Sequence, residues 1–163
     1  MDSKTKQSVL FVCHGNICRS PMAEFIMRRL VKDAGLSDFV ELSSASTSDE
    51  ETGNPVYPLA KRTLAIHGIG CGSKVAHRIT QAMYDGADYV IVMDHRNLAG
   101  IEQTLGIGVA DKVRLLLDFL PADHPKHGKD IADPWYTRDF EKAYADILLG
   151  CSMLVEQLKK QLG

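Results

Sequence analysis

Five apolar residues in succession, Val9-Leu10-Phe11-Val12-Cys13, run directly into a loop of small and polar residues and then a helical pattern. No other feature constrains the fold as much. A strand with one wet face alternates apolar and polar residues, whereas a continuous apolar run suits a strand covered on both faces of a parallel sheet. Residues 39–45, 89–93 and 113–119 read as three further strands, the last two nearly as apolar as the first. Helical patterns fall between them. Residues 21–31 place Met22, Phe25, Ile26 and Leu30 on one stripe, with Pro21 in the first turn and Gly35 past the end. Residues 56–66, 80–84 and 98–105 are shorter candidates. The last helix is the clearest, with Phe140, Tyr144, Ile147, Leu148, Cys151, Leu154, Val155 and Leu158 recurring mostly at intervals of three or four. Strands alternating with helices predict an α/β fold: three layers, a four-stranded parallel sheet with helices on both faces. Ligands of such sheets bind beyond the carboxyl ends of the strands. Residues 120–136, rich in Pro, His, Asp and Gly, read as a long loop of the kind that carries function.

Composition narrows the classes. With 163 residues, 45% hydrophobic and 25% charged, the chain suits a single soluble domain over 1–163 that needs no staple to fold. Nineteen basic against 21 acidic side chains leave no broad basic surface for nucleic acid or an anionic membrane. The start, residues 1–8, is polar without a signal-peptide core, and no apolar run is long enough to span a membrane. A cytoplasmic protein is expected. Its four cysteines, at 13, 18, 71 and 151, are then free thiols.

The segment Cys13-His14-Gly15-Asn16-Ile17-Cys18-Arg19-Ser20-Pro21 lies between the first strand and the first helix. Cysteine six positions before arginine is weak evidence alone, and the bland alternative is a buried strand-end thiol beside a surface charge. Position gives the pair its weight. A loop curling before a helix N-terminus points several backbone N–H groups at one centre, and the helix dipole adds to their pull on an anion. Gly15 allows a positive φ in the curl, and Asn16 tolerates the left-handed region while offering a side chain to tie the loop. Arg19 adds a planar fork matched to two phosphoryl oxygens. The same donors stabilise a thiolate at Cys13, to which the Ser20 hydroxyl can also donate. Neither the Gly-x-x-x-x-Gly-Lys-Ser/Thr loop nor the dinucleotide fingerprint occurs.

Val12 through Pro21 resembles the signature of the low-molecular-weight protein tyrosine phosphatases, Val-Cys-x-Gly-Asn-x-Cys-Arg-Ser-Pro. The resemblance extends over essentially the whole chain, through Ser44-Ala45-Ser46-Thr47, Met93-Asp94-x-x-Asn97-Leu98 and Asp133-Pro134-Trp135-Tyr136 in order. It implies that Cys13 is the nucleophile that takes a phosphoryl group from phosphotyrosine. Arg19 and the loop amides from His14 to Arg19 would then bind its equatorial oxygens, with neither metal nor cofactor. Asp133 resembles the general acid that protonates the leaving phenolate and then activates water, stiffened by Pro134. Trp135 and Tyr136 resemble one wall of a deep slot for the substrate ring; packing against the last helix is their alternative. Asn16 and Ser20 would shape the loop. Asp94 would bond to it or cap the next helix. Cys18 resembles the redox partner of an oxidised nucleophile, while Cys151 suits the core and Cys71 a loop thiol without a role. The partners implied are tyrosine-phosphorylated proteins, with a tyrosine kinase as counterpart, and the protein is expected to be a monomer.

Two positions depart from the family pattern. Ser46 stands for the usual glycine, and aligning through Gly53-x-Pro55 puts Glu50 where the other wall of the slot usually presents an aromatic ring. His14, after the nucleophile, is expected to turn its side chain from the phosphate. Ile17 occupies the position at which related arginine phosphatases tend to carry threonine, which favours phosphotyrosine. A protein-arginine phosphatase, an arsenate reductase of the same fold and a non-hydrolysing phosphotyrosine-binding module are the alternatives. Reduction of arsenate needs a cysteine relay that Cys71 alone does not supply, and mere binding needs neither a nucleophile nor an acid. His124 and His127 with Asp123 and Asp130 lack the spacing of a structural zinc site and read as solvated loop residues.

Overall fold

The computed structural model describes residues 6–108 and 112–163. The polar start expected over residues 1–8 falls mostly outside them. Strands β1 (Gln7–Cys13), β2 (Val40–Ser46), β3 (Tyr89–Val92) and β4 (Val113–Leu115) form one parallel sheet in the order β2-β1-β3-β4. The helices are α1 (Arg19–Asp33), α2 (Pro58–Ile66), α3 (Gln81–Gly86), α4 (His95–Leu105), α5 (Pro134–Thr137) and α6 (Phe140–Leu162).

The continuous apolar runs are explained by two cores. Val9, Phe11 and Cys13 of β1, with Ile91 and Met93, pack among Met22, Ile26 and Met27 of α1, Leu64 of α2, and Ile147, Leu154 and Leu158 of α6. Leu10 and Val12, with Val90 and Val92, pack on the other side with Tyr84 of α3 and Ile101 of α4. Side chains alternate across a strand, so a strand buried on both faces must be apolar at every position. The chain leaves β1 for β2 on one side and reaches β3 on its other side. The carboxyl end of β1, where Cys13 stands, is therefore the point at which strand order reverses and a crevice opens.

Several boundaries differ from the sequence expectation. The fourth strand stops at Leu115, and Leu116–Phe119 tighten into a 3₁₀ turn where the Asp118 carboxylate accepts from the Leu115 N–H at 3.0 Å. The first helix begins at Arg19, because the N–H groups of a first turn need no helical partner and Pro21 is tolerated there. The second begins at Pro58. The helix expected from residue 98 begins at His95, capped by Asp94 and Asn97 acting reciprocally. The long loop ends early, since Pro134–Thr137 make one helical turn capped by Asp133. Cys71 lies on a loop as expected, with its side chain buried against the larger core, and Cys151 is fully buried in that core.

Candidate active site

The loop from Cys13 to Cys18 wraps around the Cys13 sulfur. Sγ accepts from the backbone N–H of Asn16 at 3.3 Å and of Ser20 at 3.4 Å, and lies 2.9 Å from Ser20 Oγ. The left-handed residue is Asn16, at φ 59°, and Gly15 does not take a positive φ. Asn16 can hold that conformation because its amide is bonded on every side. Nδ2 donates to Ser20 Oγ at 2.8 Å and Ser44 Oγ at 3.0 Å, while Oδ1 accepts from the His77 N–H at 3.3 Å. The loop is also stitched to its surroundings through the backbone: Cys13, His14 and Ile17 carbonyls accept from Thr47, Ser48 and Tyr57.

Arg19 enters the site from the first turn of α1 with its side chain almost fully buried. Nη1 donates to Asp94 Oδ2 at 2.7 Å and to the Ile131 carbonyl at 2.8 Å, and Nη2 lies 3.4 Å from Asp133 Oδ2. Burial works against its charge, but Cys13, Asp94 and Asp133 outweigh that and hold its pKa above the ordinary arginine value. Asp94 fills both roles open in the sequence: Oδ1 caps α4 at the Asn97 N–H, 2.9 Å away, while Oδ2 fixes Arg19. Asp133 likewise divides its oxygens, Oδ1 accepting from the Trp135 N–H at 3.0 Å and Oδ2 facing Arg19.

These groups line a cavity of about 130 Å³ with Cys13, His14, Gly15, Ile17, Cys18, Arg19, Glu50, Glu51, Asp133, Trp135 and Tyr136 along it. All the expected binding residues except Asn16 and Ser20 reach it, and those two sit behind the loop as its buried ties. Trp135 is 43% exposed and is met edge-on by Tyr57 at 4.9 Å between ring centres; Tyr136 is 73% exposed. The His14 ring turns to the rim, where Nε2 meets Glu50 Oε1 at 3.1 Å. Burial, then the neighbouring Cys13 and Asp133, push the Cys18 pKa far up despite Arg19 and Arg138. Of the loop residues weighed for a metal, Asp130 is taken by the His95 ring at 2.7 Å and His127 Nδ1 lies 2.8 Å from the Leu120 carbonyl.

Sequence reasoning missed several contributors. Arg138 stacks over Tyr57, Trp135 and Phe140, and its guanidinium donates to the Tyr57 hydroxyl at 2.8 Å, bracing the aromatic wall. Ser44, Glu24, Lys74 and His77 connect behind the loop. The one signal in the sequence was the landmark Ser44-Ala45-Ser46-Thr47, which assigned Ser44 no role.

Comparison with known proteins agrees with this arrangement. The family described as low molecular weight phosphotyrosine protein phosphatase matches residues 8–163. The chain is 34% identical over 154 residues to the low molecular weight protein-tyrosine-phosphatase YfkJ of Bacillus subtilis, covering 94% of this chain and 97% of that one. It is 35% identical over 159 residues to the low molecular weight phosphotyrosine protein phosphatase of Homo sapiens, covering 96% and 99%. The crystal structure of YfkJ from Bacillus subtilis superposes with a TM-score of 0.91 at 34% identity, over 98% of this chain and 99% of that one.

Proposed function

The chain belongs to the low-molecular-weight phosphotyrosine protein phosphatase family, and from that membership and its site we infer that it hydrolyses phosphotyrosine in proteins through a phosphocysteine intermediate. One observation carries the reading. Cys13 Sγ sits at the centre of N–H and O–H groups beneath a cavity that also presents Arg19 and Asp133. A nucleophile, an anion clamp and a proton donor meet there.

The cycle follows from these positions. A phosphotyrosine ring entering along Trp135 brings its phosphorus to Cys13, and the loop amides with Arg19 take the three equatorial oxygens. Sulfur attacks in line, the S–P bond forms, and the P–O bond to the phenol breaks with its electron pair. Asp133 gives that oxygen a proton. The dianion displaces Asp133 from Arg19 Nη2 and supplies the negative charge that keeps a proton on the acid until it is needed. With tyrosine gone, Asp133 accepts a proton from water as its oxygen attacks phosphorus, and inorganic phosphate leaves with the thiolate restored. A short phosphoserine side chain held outside the aromatic wall does not reach Cys13. Ile17 lines the cavity with an aliphatic surface that suits the phenyl ring better than a guanidinium.

The substrates are tyrosine-phosphorylated proteins, and a tyrosine kinase is the counterpart that makes them. Among the described residues no helix is long and apolar enough to cross a membrane. Four free, buried thiols suit a reducing cytoplasm. We take the protein to act as one domain and as a monomer, since Cys13, Arg19 and Asp133 complete the site without a second chain.

The test is phosphate release from a phosphotyrosyl peptide in EDTA, with phosphoserine and phosphoarginine substrates in parallel. Release from phosphotyrosine is expected, abolished in Cys13→Ser. In Asp133→Asn it should fall by about 10²–10³-fold, and by less for an aryl phosphate with an acidic phenol. No release by fully reduced wild type would overturn the reading, and release confined to phosphoarginine would reassign the substrate.

A further inference from the structure

The hydrogen bonds around Cys13 do not stop at the loop. They continue to a buried carboxylate for which the reaction itself has no use. Glu24 of α1, its side chain 6% exposed, accepts from Ser44 Oγ at 2.6 Å through Oε1 and from Arg28 at 2.7 Å through Oε2. An ionised carboxylate only accepts, so the Ser44 proton points at Glu24. Ser44 Oγ is then left to accept from Asn16 Nδ2. The second Nδ2 proton goes to Ser20 Oγ, and the His77 N–H on Asn16 Oδ1 fixes which way round the amide lies. With a lone pair of Ser20 taken, its own proton is directed to Cys13 Sγ at 2.9 Å. Every proton is ordered from the charge on Glu24, and the sulfur stands at the accepting end, as a thiolate requires.

The second cation beside Glu24, after Arg28, is Lys74. Its side chain, 11% exposed, donates from Nζ to the Ser44 carbonyl at 3.0 Å, and Nζ lies 3.9 Å from Glu24 Oε1 and 3.3 Å from His77 Nε2. The charged or titratable groups facing it are Glu24 and Arg28 from α1, Cys13 from β1 and His77 from its own segment. We propose that Lys74 is a positioning residue for the phosphatase reaction: its ammonium, set against the Glu24 carboxylate and the Ser44 carbonyl, orders the Ser44, Asn16 and Ser20 hydrogen bonds so that the Ser20 proton is directed at the Cys13 sulfur. Burial lowers its pKa below the ordinary lysine value, with Glu24 and Cys13 opposing the fall and Arg28 adding to it. The proposal rests on Cys13 being the nucleophile of the reaction inferred above.

The experiment follows the pH dependence of Cys13 alkylation by iodoacetamide, read at that residue by mass spectrometry, in wild type, K74M and K74R. The pH profiles of kcat/KM and KM for a phosphotyrosyl peptide are measured beside it. In K74M the half-alkylation pH and the acid limb of kcat/KM should both move up by about one unit, a roughly tenfold loss at a fixed pH on the limb. KM on the plateau should stay within about twofold, and K74R should recover alkylation to within about threefold of wild type. An alkylation curve for K74M that superimposes on wild type overturns the proposal. So does a loss that is uniform with pH and leaves the limb unmoved, the mark of a merely structural lysine. Should K74M not fold, K74Q carries the same expectation. Failure of the wild type to release phosphate would sink the phosphatase reading, while the alkylation curves still decide the role of Lys74.

Discussion

At position 16 an asparagine side chain stabilises a backbone conformation, φ 59°, that other L residues adopt at a cost. Its three side-chain hydrogen bonds all lie inside the protein, on Ser20, Ser44 and the His77 N–H. Two properties can be separated by substitution. Asn16→Gly keeps the backbone at ease and loses only the bonds, whereas Asn16→Ala loses the bonds and adds about 1–2 kcal/mol of left-handed strain. Both should slow turnover by about tenfold or more, with Asn16→Ala the less stable of the two in urea titration. Gly15 serves as the control. A Cβ there meets Glu51 Cγ at 3.4 Å, an ordinary contact, and the backbone needs no positive φ. Gly15→Ala should therefore cost well under 1 kcal/mol, and a larger loss than for Asn16→Ala would show that the strain sits at 15 after all.

The N-terminus of α4 joins the scaffold to the chemistry, because one carboxylate both caps the helix and seats the arginine. Asp94 Oδ1 takes the Asn97 N–H and Oδ2 takes Arg19 Nη1, while Asn97 Oδ1 returns bonds to the N–H groups of Met93 and Asp94. Asp94→Asn retains an oxygen for the cap but loses the charge opposite a buried guanidinium; Asp94→Ala loses both. The alanine variant should be destabilised by about 2–4 kcal/mol and the asparagine variant by clearly less, with activity falling in both as Arg19 loses its fixed seat. Equal stabilities would mean that the cap adds nothing. Elements of this kind were readable in outline: apolar runs marked the strands, a period near 3.6 marked α1 and α6, and the loop after β1 gave the pairing of Cys13 with Arg19. Their edges were not. Leu116 and Leu117 are both buried, so hydrophobicity alone could not tell a 3₁₀ turn from a continued strand. The network through Ser44, Lys74 and His77 was hidden because it joins the second strand to a loop some thirty residues on, and only Ser44 of the three is fully buried.

The whole molecule has to hold an irregular segment, the one that carries Asp133 to the cavity, against a sheet and a long helix. Backbone bonds from Gly128 to the Leu117 carbonyl and from Ile131 to the Met93 carbonyl fix its inner edge. Asp146 of α6 fixes its outer one. Its buried carboxylate accepts from Lys126 of the segment at 2.6 Å and from Lys142, one helical turn before it, at 2.9 Å. Burial opposes the charge on Asp146, but the two lysines outweigh it and hold the pKa below the ordinary aspartate value. A carboxyl whose folded pKa is depressed adds stability that is complete above its unfolded pKa, about 3.9, and disappears as pH falls through the folded value. Both lysines are about half exposed and keep their own hydration, which limits what the pair contributes. Asp146→Asn should thus lower stability at pH 7 by about 1–3 kcal/mol, the range of hydrogen bonds to a charged group. Urea titrations of both proteins at pH 7, 5 and 3 would show the difference persisting at pH 5 and shrinking at pH 3. A difference that stays constant from pH 7 to pH 3 would show that Asp146 holds the segment by its shape rather than by its charge.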